Sequence, residues 1–282
     1  MERHTIRRWK TAKSGEGVKS RRPTNHPGPK ALPPPSDDDP AIINPVPEPG
    51  EAPVNPRVIL TFARPDYHLL CRLAQASAPP RYLWDCAIRG GVWEGRPVTI
   101  VAPAVGAPYA VMVLEKLIAL GARRVLALGW CGSLQSQVGI GALILPTRAL
   151  QGDGTSKHYS TGKGDPRPDH DLYSLLEHRL KAADAVWRSG PIWTTDAFYR
   201  ETLSQVRYHQ GRGVLGVDLE LAALFSVGQY RRVPVAGLLV VSDELANLSW
   251  RPGLRSGRFR QARDLAARLV LEAAAQGEAD NV

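Results

Sequence analysis

The stretch GRPVTIVAPAVGAPYAVMVLEKLIALGARRVLALGWCGSL, residues 95–134, holds two short aliphatic runs, 97–103 and 124–129, on either side of a helical pattern. Neither run alternates strictly between apolar and polar residues. Each therefore predicts a strand covered on both faces rather than one with a wet side. Between them, 108–120 predicts an amphipathic helix. Pro108 suits its first turn and Gly121 its C-terminal cap. Val111, Leu114, Leu117 and Ile118 fall on one face, and Glu115 and Lys116 are expected to point away from it.

The same texture extends outward. RVILTF (57–62), GALILP (141–146) and VAGLLVV (235–241) add strands, and helices are expected over 217–230 and 260–275. Strands alternating with helices predict an α/β fold, a three-layer α/β/α sandwich. In such sheets ligands gather beyond the carboxyl ends of the strands. Glycines sit there: PAVGAP (103–108) precedes a helix, and Gly129 and Gly132 are expected just past a strand. Glycine lets backbone approach a ligand, and a helix N-terminus favours an anion. The spacing G-W-C-G is not G-x-G-x-x-G, so a dinucleotide site is unsupported. LLVVSDEL (238–245) drives a buried run straight into Asp243 and Glu244. By local pattern alone that pair fits catalysis, a helix cap or a surface turn equally well.

Composition bounds the rest. The chain has 282 residues, 43% hydrophobic, which suits one sizeable α/β domain or two small ones. No apolar run approaches the ~20 residues of a membrane span. Cys71, Cys86 and Cys131 are odd in number and widely spaced, which predicts reduced thiols in the cytoplasm and no metal site. The net charge of +9 comes largely from residues 1–30, with nine Lys and Arg against Glu2 and Glu16. Twelve of the 24 prolines then fall between Pro23 and Pro56. Such a segment buries too little apolar surface to offset its ordering entropy. Residues 1–55 are expected to be a disordered basic, Pro-rich tail, and 56–282 the catalytic domain. A basic tail without interleaved aromatics reads as a solvated extension rather than a nucleic-acid arm.

Five segments in this order resemble the nucleoside phosphorylase superfamily, which takes in purine nucleoside phosphorylases, uridine phosphorylases and nucleosidases. They are the opening stretch, VGIGALILPTRALQGDGTSKHY (138–159), TTDAFYRET (194–202), GVDLELAALFSV (216–227) and VVSDEL (240–245). The resemblance covers roughly 57–274. It implies a mixed, twisted central sheet, assembly as a homo-oligomeric trimer or hexamer, and no cofactor, with a nucleoside and phosphate as co-substrates. It also implies roles. Asp243 would be the acid that protonates the departing purine at N7. Glu220 would accept hydrogen bonds from the ribose 2′- and 3′-hydroxyls, with Leu219 against the sugar. Phe198 would stack on the base and Tyr199 border the ribose, with Asp196 and Arg200 pairing to hold the loop. Gln205 and Arg207, downstream, keep a pyrimidine open. His158 is expected to cap or stack, and Asp218 to be structural.

Two departures from that family stand out. Its phosphorolytic members carry a Gly-containing, Arg-containing loop after the first strand, and an arginine and a hydroxyl at the Gly-rich strand end. Here the first loop reads TFARPDY (61–67), and Ala127 and Trp130 occupy the other two places. A dianion needs several fixed donors. Arg64 and Gly129 are then the local phosphate-binding candidates, with Arg89 or Arg96 as donors from elsewhere. Nucleosidases place a water-activating glutamate in the first loop, and Asp66 falls near that position. The resemblance implies phosphorolysis of a purine nucleoside to free base and ribose 1-phosphate; hydrolysis using Asp66 and non-catalytic nucleoside binding are the alternatives.

Overall fold

A computed structural model describes residues 40–159, 162 and 164–276. The expected tail falls mostly on 1–39, outside the described residues. One compact unit begins at Pro45. Residues 45–55, assigned to the tail on proline content, instead pack onto the domain. Val54 is buried and its N–H donates to Leu120 O at 2.9 Å. Asn55 N donates to Thr99 Oγ1 at 2.9 Å. Proline-rich backbone can be held by such edge contacts without joining a ladder.

In chain order the elements are β1 (Arg57–Thr61), α1 (Arg64–Leu73), β2 (Arg81–Leu83), β3 (Cys86–Trp93), β4 (Arg96–Ala102), α2 (Ala107–Ala119), β5 (Arg124–Ser133) and β6 (Leu143–Gly152). Then follow α3 (His170–Ala182), β7 (Trp187–Thr195), α4 (Leu203–Gly211), β8 (Gly216–Asp218), α5 (Leu221–Arg231), β9 (Val235–Glu244), β10 (Arg251–Pro252) and α6 (Gly257–Ala275). One mixed sheet takes the order β10-β9-β6-β7-β8-β5-β1-β4-β3-β2. β5 also pairs directly with β9, in parallel. The strands β5, β9, β6, β7 and β8 therefore close into a circuit, and β1 to β4 extend from it as an open wing.

α2 and α5 share one apolar cluster on one side of the sheet with Val58, Leu60, Val125, Ala127 and Leu239. α1, α3 and α6 share the other with Ile59, Leu126, Leu128, Leu238 and Val240. Successive residues of β1, β5 and β9 thus alternate between two buried faces, which is why their sequences are continuously apolar. This is the three-layer α/β/α arrangement. Val206 of α4 joins Trp193 and Val217 in a third, smaller cluster.

Two local expectations change. Glu115 and Lys116 do not point into solvent: each is only 7% exposed. Arg231 of α5 grips Glu115 through Nε at 2.7 Å and NH2 at 2.9 Å. Lys116 reaches Glu51 at 2.7 Å and Val46 O at 2.7 Å on the 45–54 segment. A second helix and the N-terminal strap cover the faces that periodicity assigns to water. Strand β5 also runs on through Gly129 to Ser133, because β8 and β9 flank it there.

Candidate active site

At the carboxyl ends of β1, β5 and β9 a cavity of about 430 Å³ opens. Its walls come from the segment after β1 (Phe62, Ala63, Pro65), Val105 ahead of α2, and Gly129 to Gly132 of β5. The loop after β7 adds Phe198 and Glu201, the β8–α5 junction adds Val217 to Glu220, and β9 adds Ser242 and Asp243. Among these lining residues there is no lysine, arginine or histidine.

Successive strand residues face opposite ways, and this separates the two acids that end β9. Asp243 lines the cavity and is mostly buried. Its Oδ1 accepts from Ser242 Oγ at 2.6 Å, and its Oδ2 from Trp250 Nε1 at 3.0 Å. Glu244 turns away, taking Ile140 N at 2.9 Å and Arg251 NH1 at 2.9 Å. Gly132 stands opposite Asp243 across a bulge in the β5–β9 register. A Cβ there would lie 2.6 Å from Leu245 Cδ1 and 3.1 Å from Asp243 Oδ2. The glycine is what lets the carboxylate pack against β5.

Glu220 precedes α5 rather than lying within it. The helix starts at Leu221, and the residues ahead of it belong to β8 and its turn. Asp218 organises that turn: Oδ2 accepts from Leu221 N at 2.8 Å and Glu220 N at 3.2 Å, and Oδ1 from Thr194 Oγ1 at 2.6 Å. Three donors satisfy it, in keeping with a structural role. Glu220 Oε1 accepts from Gly106 N at 2.8 Å, at the entry to α2. Gly106 has φ +85°, a conformation that glycine tolerates and other residues rarely adopt. Burial raises the pKa of Glu220, and the Asp218 carboxylate beside it raises it further. Burial likewise raises that of Asp218, against the hydrogen bonds from Thr194, Leu221 and Glu220.

The aromatic loop divides. Phe198 lines the cavity at 41% exposure, whereas Tyr199 is 93% exposed and is not on the wall. The two rings meet edge to face at 5.0 Å, and Phe198 faces Trp250 at 6.5 Å. Tyr199 therefore borders no part of the cavity in this chain. The expected Asp196–Arg200 pair is replaced: Asp196 Oδ2 accepts from Gly154 N at 2.7 Å, which ties the loop to the end of β6. Gln205 is spent in a capping box with Thr202 at the start of α4, and neither it nor Arg207 reaches the cavity. His158 is exposed in a short 3₁₀ turn, also off the wall.

The end expected to hold the acceptor differs most from expectation. Asp66 lies in α1, buried, and is not on the cavity wall. Its Oδ1 takes Arg263 Nε at 2.6 Å, and its Oδ2 takes Trp130 Nε1 at 2.6 Å. Burial pushes its pKa up, and Arg263 and then Trp130 oppose that. Arg263 also lies over the Trp130 ring, 5.4 Å from its centroid, and Trp130 meets Phe259 edge to face at 5.1 Å. A water-activating base needs a free oxygen facing the substrate, and Asp66 has both oxygens tied to this cluster. Arg64 is exposed and off the wall. Gly129 is on the wall, but a Cβ there would strike the Phe62 ring at 2.8 Å, so its smallness accommodates that ring.

The structure thus gathers Asp243, Glu220, Phe198 and Gly129, and leaves out Tyr199, Arg64 and Asp66. Sequence reasoning missed Glu201, Phe62, Val105 and Trp250, and saw Trp130 only as a missing hydroxyl. Glu201 follows the flagged Phe198 by three residues; loop position alone does not separate it from a solvated acid.

Residues 58–275 match the phosphorylase superfamily. A guanosine phosphorylase of Halorubrum lacusprofundi is 28% identical over 153 residues, covering 54% of this chain and 64% of its own. A uridine phosphorylase of Treponema pallidum is 28% identical over 157 residues, 51% of this chain and 60% of its own. The chain therefore spans a little under two thirds of the length of these two relatives. Among solved structures, a uridine phosphorylase of Vibrio fischeri superposes with a TM-score of 0.68 at 26% identity, covering 78% of this chain and 92% of its own. A purine nucleoside phosphorylase of Toxoplasma gondii, in complex with immucillin-H, reaches 0.71 at 19% identity, with coverage of 79% and 91%, and supports the fold.

Proposed function

The chain belongs to the phosphorylase superfamily, and from that premise we propose that it cleaves the N-glycosidic bond of a purine nucleoside by phosphorolysis, giving free base and ribose 1-phosphate. The observation that carries this reading is that Asp243 and Glu220, from two different elements, line one cavity. Bond breaking leaves positive charge on the sugar and negative charge on the base. Asp243 is the group at the base, where a hydrogen bond or proton to N7 stabilises the leaving group. Glu220, already fixed by the Gly106 amide, accepts hydrogen bonds from the ribose hydroxyls. Phe198 stacks on the base. A purine suits this wall, because Gln205 and Arg207, the donors a pyrimidine reading calls on, lie off it. The chemistry moves one proton and breaks one C–N bond, so it calls for no electron carrier. The chain acts as a homo-oligomer in this reading.

One observation favours water as the acceptor instead: no cationic side chain lines the cavity. Phosphate then depends on donors from outside this wall, whereas water needs none. Incubating the protein with a nucleoside panel, with and without phosphate, and separating the products decides the matter. Ribose 1-phosphate supports phosphorolysis, free ribose without phosphate supports hydrolysis, and no product with any nucleoside refutes both.

A further inference from the structure

Strand β10 runs back along β9, with Arg251 opposite Glu244 and Pro252 opposite Asp243. The hairpin between them is pinned at several points. Leu245 N donates to Ser133 O at 2.8 Å, Gln210 Nε2 to Ala246 O at 2.8 Å, and Gly253 N to Ser242 O at 2.8 Å. Leu245 and Leu248 also pack against the Trp193 cluster. Two consecutive residues of this hairpin therefore reach the two acids that end β9. Arg251 goes to Glu244, which turns away from the cavity, and Trp250 Nε1 goes to Oδ2 of Asp243 at 3.0 Å. Core packing does not account for the placement of Trp250, which is 60% exposed. Its hydrogen bond to Asp243 and its edge-to-face ring contact with Phe198 both go to residues of the cavity wall.

We propose that Trp250 is a positioning residue: its indole N–H, with the Ser242 hydroxyl on the other oxygen, holds the Asp243 carboxyl in line with N7 of the bound purine. The inference rests on the glycosidic cleavage proposed above and adds the group that aims its acid. The last torsion of an aspartate side chain is broad, so a single tether leaves the carboxyl plane free to tilt. Donors on both oxygens, at 2.6 Å and 3.0 Å, fix it. A carboxylate offers about four hydrogen-bonding positions; these donors use two and leave the others for the base. Indole suits the task because it only donates, and so cannot take the proton meant for the substrate. It is also uncharged, whereas a cation such as Arg251 would hold the carboxylate in a stronger, charge-assisted bond. Aim matters most in the transition state, where the bond electrons pass to the purine and N7 becomes a better acceptor.

The test removes the N–H with the ring kept and with the ring lost. Turnover of guanosine, inosine and adenosine, each beside its 7-methyl derivative, is measured with phosphate present for the full chain, Trp250→Phe and Trp250→Ala. Thermal melting checks folding. A 7-methyl purine has no lone pair at N7 for Asp243 to serve, and its base leaves without a proton there. On each unmethylated nucleoside that the parent cleaves, both variants are expected to lose about tenfold in kcat, the weight of one hydrogen bond, with KM within about threefold. On the 7-methyl nucleosides kcat is expected to stay within about threefold of the parent, since no aimed bond to N7 is lost. Trp250→Phe at the parent's rate, a loss confined to KM, or an equal loss on any 7-methyl nucleoside that the parent cleaves overturns the positioning role and leaves the cleavage reading intact. A parent protein that cleaves none of these nucleosides overturns the cleavage reading and this inference with it.

Discussion

The two ends of the cavity use their polar groups in opposite ways. At the end proposed to take base and sugar, Asp243 and Glu220 are anchored by Ser242, Trp250 and the Gly106 amide, yet both remain on the wall. At the far end, Asp66 and Arg263 are spent on each other and on Trp130. The first arrangement leaves acids on the wall ready for a ligand; the second closes a buried ion pair behind an indole. The lesson is that an acid near a site is a candidate only when its oxygens are not already committed to its own fold.

The largest effect should separate the two ends by chemistry. Asp243→Asn is expected to lower turnover of purine nucleosides by about 10²–10⁴-fold, while nucleoside affinity by calorimetry changes far less. Equal losses in both would deny it a role special to the transition state. Next, the far end should matter for stability and not for chemistry. Arg263→Ala strands Asp66 as a buried, unpaired carboxylate, and a cost of about 3–5 kcal/mol is expected in denaturant unfolding. Asp66→Asn should leave turnover per folded molecule within about threefold, since hydrogen-bonding water-activation by Asp66 is not available in this geometry. A collapse of turnover with folding intact would restore Asp66 as a base.

Smaller effects sharpen the base end. Phe198→Ala should raise KM with kcat little changed, by the ~1–3 kcal/mol that stacking on one base contributes. Glu220→Gln should change the pH profile of stability. The pKa of Glu220 is raised on folding, so above the ordinary carboxylate range the folded state binds more protons than the unfolded one. Stability from this group is then greatest in acid and falls as pH rises through the neutral range. Melting temperatures between pH 5 and 8 should therefore fall less steeply in Glu220→Gln than in the parent; parallel curves would refute the upward shift.

Much of the fold was legible because the central strands are buried on both faces. Continuous aliphatic runs betray β1, β4, β5, β6 and β9. β3 was missed because CAIRGGVW breaks its pattern with paired glycines and an antiparallel, half-covered position. Glu115 and Lys116 misled because helical periodicity sees one partner face, and α2 meets both α5 and the N-terminal strap. Asp243, Glu220 and Phe198 were legible through the resemblance. Asp66 was legible as a residue and misjudged in role, because its partner Arg263 lies on α6, almost two hundred positions away. Glu201 and Trp250 gave no signal: each sits in an irregular segment, where only three-dimensional proximity to Asp243 marks it out.

The most direct measurement is a crystal structure of the protein with a purine nucleoside bound. The expected result is one nucleoside spanning the cavity, with the carboxyl group of Asp243 donating to base N7 at about 2.6–3.2 Å and Glu220 in hydrogen-bond contact with the ribose hydroxyls. A nucleoside bound elsewhere, or touching one of these carboxylates and not the other, would contradict the shared site.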